Sequence, residues 1–408
     1  MKKRLAVAEL QFGMYIAELD RPWTDTPFTF QGFVLKTHEE LDLLGRFCSE
    51  VVVDLDHREA ASPLTVTVPP RAKARVDLTR AGQSRWKALS AVEQEYPRAA
   101  ACYGAADTVV REAVLVVRSG NALHADKLHE AVSVVTESVL RNPDAMLLFS
   151  KLRKKGDYIE SHALDSAIIM AAFGRFLEMS REDIVLLAYL GLLQDVGKLR
   201  LPKPLLEKPG RLTPIEYHIA QKHVVHSAEI LRGTPGLPRG LAELATLHHE
   251  RLDGSGYPRR LKGSDIGLIG SIAGIVDTFD ALTATRPYAA PISPSEALKK
   301  LYRARGILFD SYLVEQFIRC IGIFPLGSAV ELNGGEVAIV IAQNPEKRLQ
   351  PRVMVLQDAA GDPLHPHKLI DISRGVTAPD GDPYRIKRAL DCSRVRLDAM
   401  DVSFGAAF

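Results

Sequence analysis

Residues 193–258 constrain this chain more than any other stretch. They open with Gln194-Asp195-Val196-Gly197-Lys198, pass through His223, and close on His248-His249-Glu250-Arg251-Leu252-Asp253-Gly254-Ser255-Gly256-Tyr257-Pro258. Six of the twelve histidines fall between His162 and His249, and Asp195, Asp253 and Asp277 stand among or just after them. Imidazole and carboxylate mixed in this way suit divalent ions of intermediate hardness. Asp195 ends a strongly apolar run, and a carboxylate buried there is costly unless it is paired or holds a cation.

The pattern around this stretch is helical. Apolar residues recur at three and four spacing through Val109, Val110, Ala113 and Val117, and again through Leu128, Val132, Val135 and Leu140. Asn142-Pro143-Asp144 breaks that run and caps the next helix. A helix from about Tyr158 to Glu178 carries His162 on a face continued by Ser166, Ile169 and Phe173. Alone, a histidine on such a face reads as a core residue, and its company makes it a candidate ligand. Ser180-Arg181-Glu182-Asp183 is a strong helix start whose helix delivers Gln194-Asp195 at its end, where Gly197 lets the chain turn out. Thr213-Pro214-Ile215-Glu216 starts a helix expected to carry His218, His223 and His226, with His223 as the ligand. A further helix should run into His248-His249. Ile266 to Thr285 is apolar apart from Asp277 and Asp280, either of which could face a cation.

The flanks alternate instead. Arg4 to Asp20, Phe28 to Leu35 and Val51 to Asp54 read as strands, with a helical pattern from His38 to Cys48. Beyond Pro325, Ala329–Leu332, a Gly334-Gly335 turn, Val337–Val340 and Arg352–Leu356 read as a small antiparallel unit, followed by a weakly patterned tail after Ser373. The expected divisions are 1–56 strand-rich, 57–84 a proline-bearing linker, 85–150 a helical connector, 151–325 the metal-bearing core, and 326–408 the β unit and tail. The fold class is mainly α.

The string HHExxDGxGYP, joined in order by Asp195-Val196-Gly197-Lys198, Lys208-Pro209-Gly210, Asp277-Thr278-Phe279-Asp280-Ala281 and Thr285-Arg286-Pro287-Tyr288, resembles the HD-GYP family, bacterial hydrolases of cyclic di-GMP. Gly13-Met14-Tyr15 and Pro27-Phe28 resemble the domain of unknown function that often precedes it. The resemblance implies an HD-type helical core with two divalent ions. His162, the residue at 194, Asp195 and Asp277 would surround one ion, and Asp195, His223, His248 and His249 the other. It also makes Asp195 and Lys198 catalytic, and gives Lys198, Gly256, Tyr257, Pro258, Arg286 and Tyr288 to substrate binding. Four imidazoles are a soft set, so iron or manganese is favoured over magnesium.

Three positions depart from the family. Gln194 replaces its histidine, and an amide oxygen is the weaker ligand. Ala289 stands where a basic residue is usual, and Tyr158 stands where some members hold a third ion with glutamate. Two functions follow: a phosphodiesterase weakened at its first ion, or a receptor or scaffold that binds cyclic di-GMP or a protein partner without cutting. Another HD-type nucleotide phosphohydrolase would explain His162, Asp195 and Asp277 but not the GYP loop.

Composition narrows the remaining classes. Over 408 residues, 46% hydrophobic and 25% charged, the formal net charge is +2, which gives no large basic face for nucleic acid. The basic start is interrupted at Glu9 before it can form a signal peptide, and no run of about 18 uncharged apolar residues offers a membrane span. A cytoplasmic protein is expected, with Cys48, Cys102, Cys320 and Cys392 as thiols. The connector helices are compatible with packing on the core or in a homodimer.

Overall fold

A computed structural model describes residues 2–20, 33–35, 38–54, 86–153, 158–285, 291–379, 381–390 and 402. The chain forms two compact units, Met1–Thr65 and Val66–Phe408. The expected linker 57–84 lies outside the described residues, as do most of the aromatic run before Phe33, and Cys392, Arg286, Tyr288 and Ala289.

In the first unit, β1 (Lys2–Ala6), β2 (Tyr15–Leu19), β3 (Phe33–Val34) and β4 (Glu50–Asp54) form one antiparallel sheet in the order β1-β4-β2-β3. Register follows the alternation of side chains: Leu5 faces Val51 and Ile16 faces Val53. Helix α1 (His38–Phe47) contributes Leu44 to a core with Leu10, Ile16, Leu35, Cys48, Val51 and Val53.

The second unit is mainly helical. Two long helices, α2 (Val92–Arg118) and α3 (Ala125–Arg141), lead to α4 (Pro143–Leu152), whose N-cap Asn142 accepts hydrogen bonds from the Asp144 and Ala145 amides. Helix α5 (Tyr158–Phe176) is buried on almost every side and packs along α6 (Arg181–Leu193), which Ser180 caps through the Asp183 amide at 3.1 Å. After a 3-10 turn, Val196–Arg200, come α7 (Lys203–Leu206), α8 (Pro214–Gln221), α9 (His223–Arg232) and the one-turn α10 (Leu241–Leu244). Then follow α11 (Gly267–Thr283), α12 (Pro294–Ala304) and α13 (Ser311–Ile321). Phe317 of α13 meets Phe173 of α5 and Phe279 of α11 edge-on, with ring centroids 5.1 and 5.2 Å apart. Each such pair adds about 0.5–1.5 kcal/mol beyond the area it buries, so three helices are fixed around one ring.

Strands β5 (Ala329–Leu332), β6 (Val337–Ala342), β7 (Arg352–Gln357), β8 (Pro363–Asp371) and β9 (Ile386–Ala389) close the unit in the antiparallel order β8-β7-β6-β5-β9. Strand β9 lies in the tail, which the sequence reads as weakly patterned, and gives it structure that the pattern does not disclose. It is a four-residue edge strand that buries little, held by main-chain pairing to β5 and by Lys387 and Arg388 on Glu331 at 2.7 Å each, none of which leaves a hydrophobic period to read.

Two expectations are corrected. The helix expected through His218, His223 and His226 is broken at Lys222 into α8 and α9, and the helix expected to run into His248 is the single turn α10 followed by turns. In both places the ring of a histidine bonds a carbonyl of the preceding turn, which residue spacing alone does not reveal. The stretch Gly263–Thr283 is long and apolar enough to cross a membrane, and 67% of its most apolar 18-residue window is buried inside the fold, as for a core helix.

Candidate metal centre and substrate cleft

Asp195 follows the C-cap of α6, which places its carboxylate where the other candidates converge from three helices and a loop. His162 comes from α5, His223 from the first turn of α9, His248 and His249 from the turns after α10, and Asp277 from α11. Two groups result, Asp195 with His223, His248 and His249, and Asp195 with His162 and Asp277, each with its ligand atoms within 4.8 Å of one another.

Hydrogen bonds set the tautomers. The Nδ1–H of His223 donates to the Ala220 carbonyl at 2.7 Å, and that of His248 to the Ala245 carbonyl at 2.8 Å. Their Nε2 lone pairs therefore face each other across 3.4 Å and approach Asp195 Oδ1 at 3.1 and 3.5 Å. His162 is held differently. Its Nδ1–H donates to Asp280 Oδ2 at 2.7 Å, while Nε2 lies 2.9 Å from Asp195 Oδ2 and 3.2 Å from Asp277 Oδ1. Lys151 of α4 stands 3.5 Å from the same Asp280. Of the two aspartates of α11, Asp277 thus faces the cluster and Asp280 orients an imidazole from behind, an arrangement common around metal-binding histidines.

The donor set fits divalent ions. Among the described residues Asp195 Oδ1 receives no hydrogen bond, and Gln194, fully buried beside it, has no hydrogen-bond partner for either amide atom. Buried lone pairs that face one another without protons between them are unfavourable unless a cation joins them. Burial favours a neutral Asp195, yet Lys198 at 2.8 Å and then the imidazole of His162 hold it well below the usual carboxylate range. Burial and then His248 hold His249 well below the ordinary imidazole value, so it is a neutral donor. At His162 burial is outweighed by Tyr158 and by its bonds to Asp195, Asp277 and Asp280, which raise its pKa well above the usual value. Tyr158 stacks on that ring with centroids 5.4 Å apart.

Two glycines are required by close approach. A Cβ on Gly197 would lie 2.1 Å from the His223 carbonyl oxygen and 2.3 Å from the Ser227 nitrogen, so α9 can seat His223 only against a glycine. Packing against α9 is thus a requirement on Gly197 beyond the turn that the sequence leads one to expect there. A Cβ on Gly256 would come within 2.5 Å of the backbone of His249, Glu250 and Arg251. Glu250 completes this loop. Its buried carboxylate accepts from the Arg259 and Leu261 amides at 2.8 and 2.9 Å, and the loop so pinned stacks Tyr257 on His249 at 4.7 Å. The motif string contains Glu250 but does not disclose that task.

The cluster opens into a cleft of about 900 Å³, whose lining includes Lys198, His223, His249, Tyr257, Asp277 and Gly256. Sequence reasoning assigned nothing to Arg118, Arg211, Tyr217 and Arg251, which line the same cleft. Tyr217 is 51% exposed and sits edge-on to Tyr257 at 6.3 Å. Of the other histidines expected on the α8–α9 segment, His226 turns outward to Glu229 at 3.4 Å and His218 is exposed.

Comparison with known proteins identifies the parts. An HD domain matches residues 148–313, a domain of unknown function (DUF3391) matches 2–128, and a KOW domain associated with HD domain matches 329–377. The chain is 31% identical over 385 residues to the cyclic di-GMP phosphodiesterase PA4108 of Pseudomonas aeruginosa, covering 92% of this chain and 90% of that one. It is 39% identical over 167 residues to the 3'3'-cGAMP-specific phosphodiesterase 2 of Vibrio cholerae, covering 41% of this chain and 31% of that one. It is also 39% identical over 151 residues to a cyclic di-GMP phosphodiesterase of Thermotoga maritima, covering 36% and 41%. With its HD core, its DUF3391 region and a full-length likeness to one such phosphodiesterase, the chain belongs to the HD-GYP family of the HD metal-dependent phosphohydrolases.

Proposed function

We propose that this chain hydrolyses a phosphodiester bond of cyclic di-GMP at a two-ion centre, and does so more slowly than it would with histidine at position 194. The observation that carries the reading is the convergence of proton-free Nε2 atoms of His223 and His248 on the unbonded Oδ1 of Asp195. In this reading Asp195 is the ligand common to both ions. His223, His248 and His249 complete one set, and His162, Gln194 and Asp277 the other, with iron or manganese the favoured metal. Divalent ions held there would supply an activated water nucleophile and offset charge on the phosphate oxygens.

The chain's own groups do the rest. Lys198, raised in pKa by Asp195 against the effect of burial, stays protonated on the cleft wall, where it meets a phosphate oxygen. Tyr217 and Tyr257 offer aromatic faces for bases, and Gly256 lets the substrate loop lie close to the centre. Pro258, Arg286 and Tyr288 belong to the same substrate set. The relatives named for hydrolysis of cyclic di-GMP or 3'3'-cGAMP support a cyclic dinucleotide as the substrate class.

A receptor that binds without cutting is the second reading, favoured by Gln194 alone, since an amide is a poorer ligand than imidazole. One experiment separates the two. Hydrolysis of cyclic di-GMP is followed for the chain and for Gln194→His, with metal content measured after anaerobic purification. The variant should gain about tenfold or more, a barrier lowered by about 1.4 kcal/mol. A variant that binds cyclic di-GMP and stays inert with both ions present would leave only the receptor.

A further inference from the structure

We propose that Arg118, the last residue of α2, binds the phosphate of the cyclic dinucleotide that is not being cut. The inference rests on the proposed function and adds a substrate contact from outside the HD-matched region, since α2 lies in the part matched by DUF3391.

Helix α2 is built against the catalytic segment. Val110, Ala113 and Val114 wall a small cavity of about 30 Å³ together with Ile159, Asp195, Val196 and Leu199. Val110, Val114 and Arg118 are four residues apart, so they share one face of the helix. Val110 and Val114 are buried, whereas Arg118, one turn on, is exposed and lines the substrate cleft with Lys198. A helix of 27 residues anchored in this way presents its terminal guanidinium from a rigid wall.

Of the other cations of the cleft, Lys198, Lys203 and Arg251 are engaged, and Arg211 stands on the irregular segment before α8 and not on a long helix. Lys198 lies 2.8 Å from Asp195, and Lys203 lies 3.5 Å from Glu207. Arg251 donates to the His248 and Glu250 carbonyls at 3.0 and 2.8 Å and stacks over Phe309 at 4.9 Å. Among the described residues Arg118 makes no ion pair and no hydrogen bond through its side chain. A cyclic dinucleotide brings two phosphates. The reacting one is served by Lys198 and the ion ligands, and the second enters the same cleft with its charge uncompensated. A cleft of about 900 Å³ is at the large end of the usual range of about 300–1,000 Å³ and suits a two-nucleotide ring. A guanidinium is the side chain best shaped to grip a phosphate through two donors.

The test is calorimetric titration of the full, metal-loaded chain with a slowly cut phosphorothioate analogue of cyclic di-GMP, and separately with GMP, which brings a single phosphate. Arg118→Ala should weaken the analogue about tenfold, equivalent to about 1.4 kcal/mol, and Arg118→Glu should weaken it further. Arg118→Lys should recover part of the loss. GMP should lose less than about twofold in Arg118→Ala, and Arg98→Ala, an exposed change on the same helix, should leave the analogue's affinity as it was. Analogue affinity in Arg118→Ala within twofold of the parent overturns the inference, as does an equal loss for GMP and analogue. Failure of the parent chain to bind the analogue at all overturns the proposed function with it.

Discussion

The two halves of the centre share Asp195 but are held by different means. On one side the ring protons of His223 and His248 go to main-chain carbonyls three residues back, so local backbone fixes both rings. On the other, His162 takes its orientation from Asp280, a side chain on another helix 118 residues away, itself approached by Lys151 of a third helix. In the proposed ligand sets Gln194, one of the departures from the family, belongs to this second half. Backbone anchoring survives most substitutions, whereas a side-chain relay fails when one member changes. The half that is easier to break is thus the half that already carries an exception.

Asp195→Ala should show the largest effect because it removes the group that both halves use. Hydrolysis of cyclic di-GMP should fall by more than about 100-fold, beyond what changes behind a metal ligand cost, and metal analysis should find both ions depleted. Retention of one ion at full occupancy would mean that the halves do not share this residue.

Asp280→Ala should divide the halves. Orientation of His162 is lost while His223 and His248 keep their carbonyl partners. Titration with Mn²⁺ should show one site weakened by about 10–100-fold and the other little changed. Equal weakening of both would erase the distinction between backbone-held and side-chain-held ligands.

The smallest effect concerns Asp144, outside the centre, and separates loss of ions from loss of fold. Burial pushes its carboxyl up to about 6, opposed by a bond from the Gln343 amide at 2.8 Å and by Arg175 and Arg352. A folded-state pKa above the unfolded value of 3.8 means that its contribution to stability is present below about pH 4 and is lost as the pH rises through about 6. Denaturant melts of Asp144→Asn should lack that decline, a slope of less than one proton, while Mn²⁺ affinity stays that of the parent. An unchanged slope would show that Asp144 does not titrate in this window.

Much of this centre is legible in the residues because its chemistry permits few alternatives. Histidines and aspartates set in or beside apolar helices such as α5, α6 and α11 are expensive to bury, and the helix starts at Ser180 and Thr213 are fixed by hydrogen bonds between near neighbours. The same locality makes the alternation of β5 to β7 readable. Strand β9 is not, because an edge strand of mixed charge takes its place through pairing alone.

Chain order therefore decided which residues were available to the centre, since residue type and local spacing carry that information. Only the folded molecule decided their partners. It chose Asp277 over Asp280 for the cluster, turned His226 away while seating His223, and made Gly197 a point of contact with α9. It also brought the end of α2 to the cleft. These outcomes depend on distances between helices remote in sequence, and the direction of a side chain across such a gap is set by packing, on which local periodicity is silent.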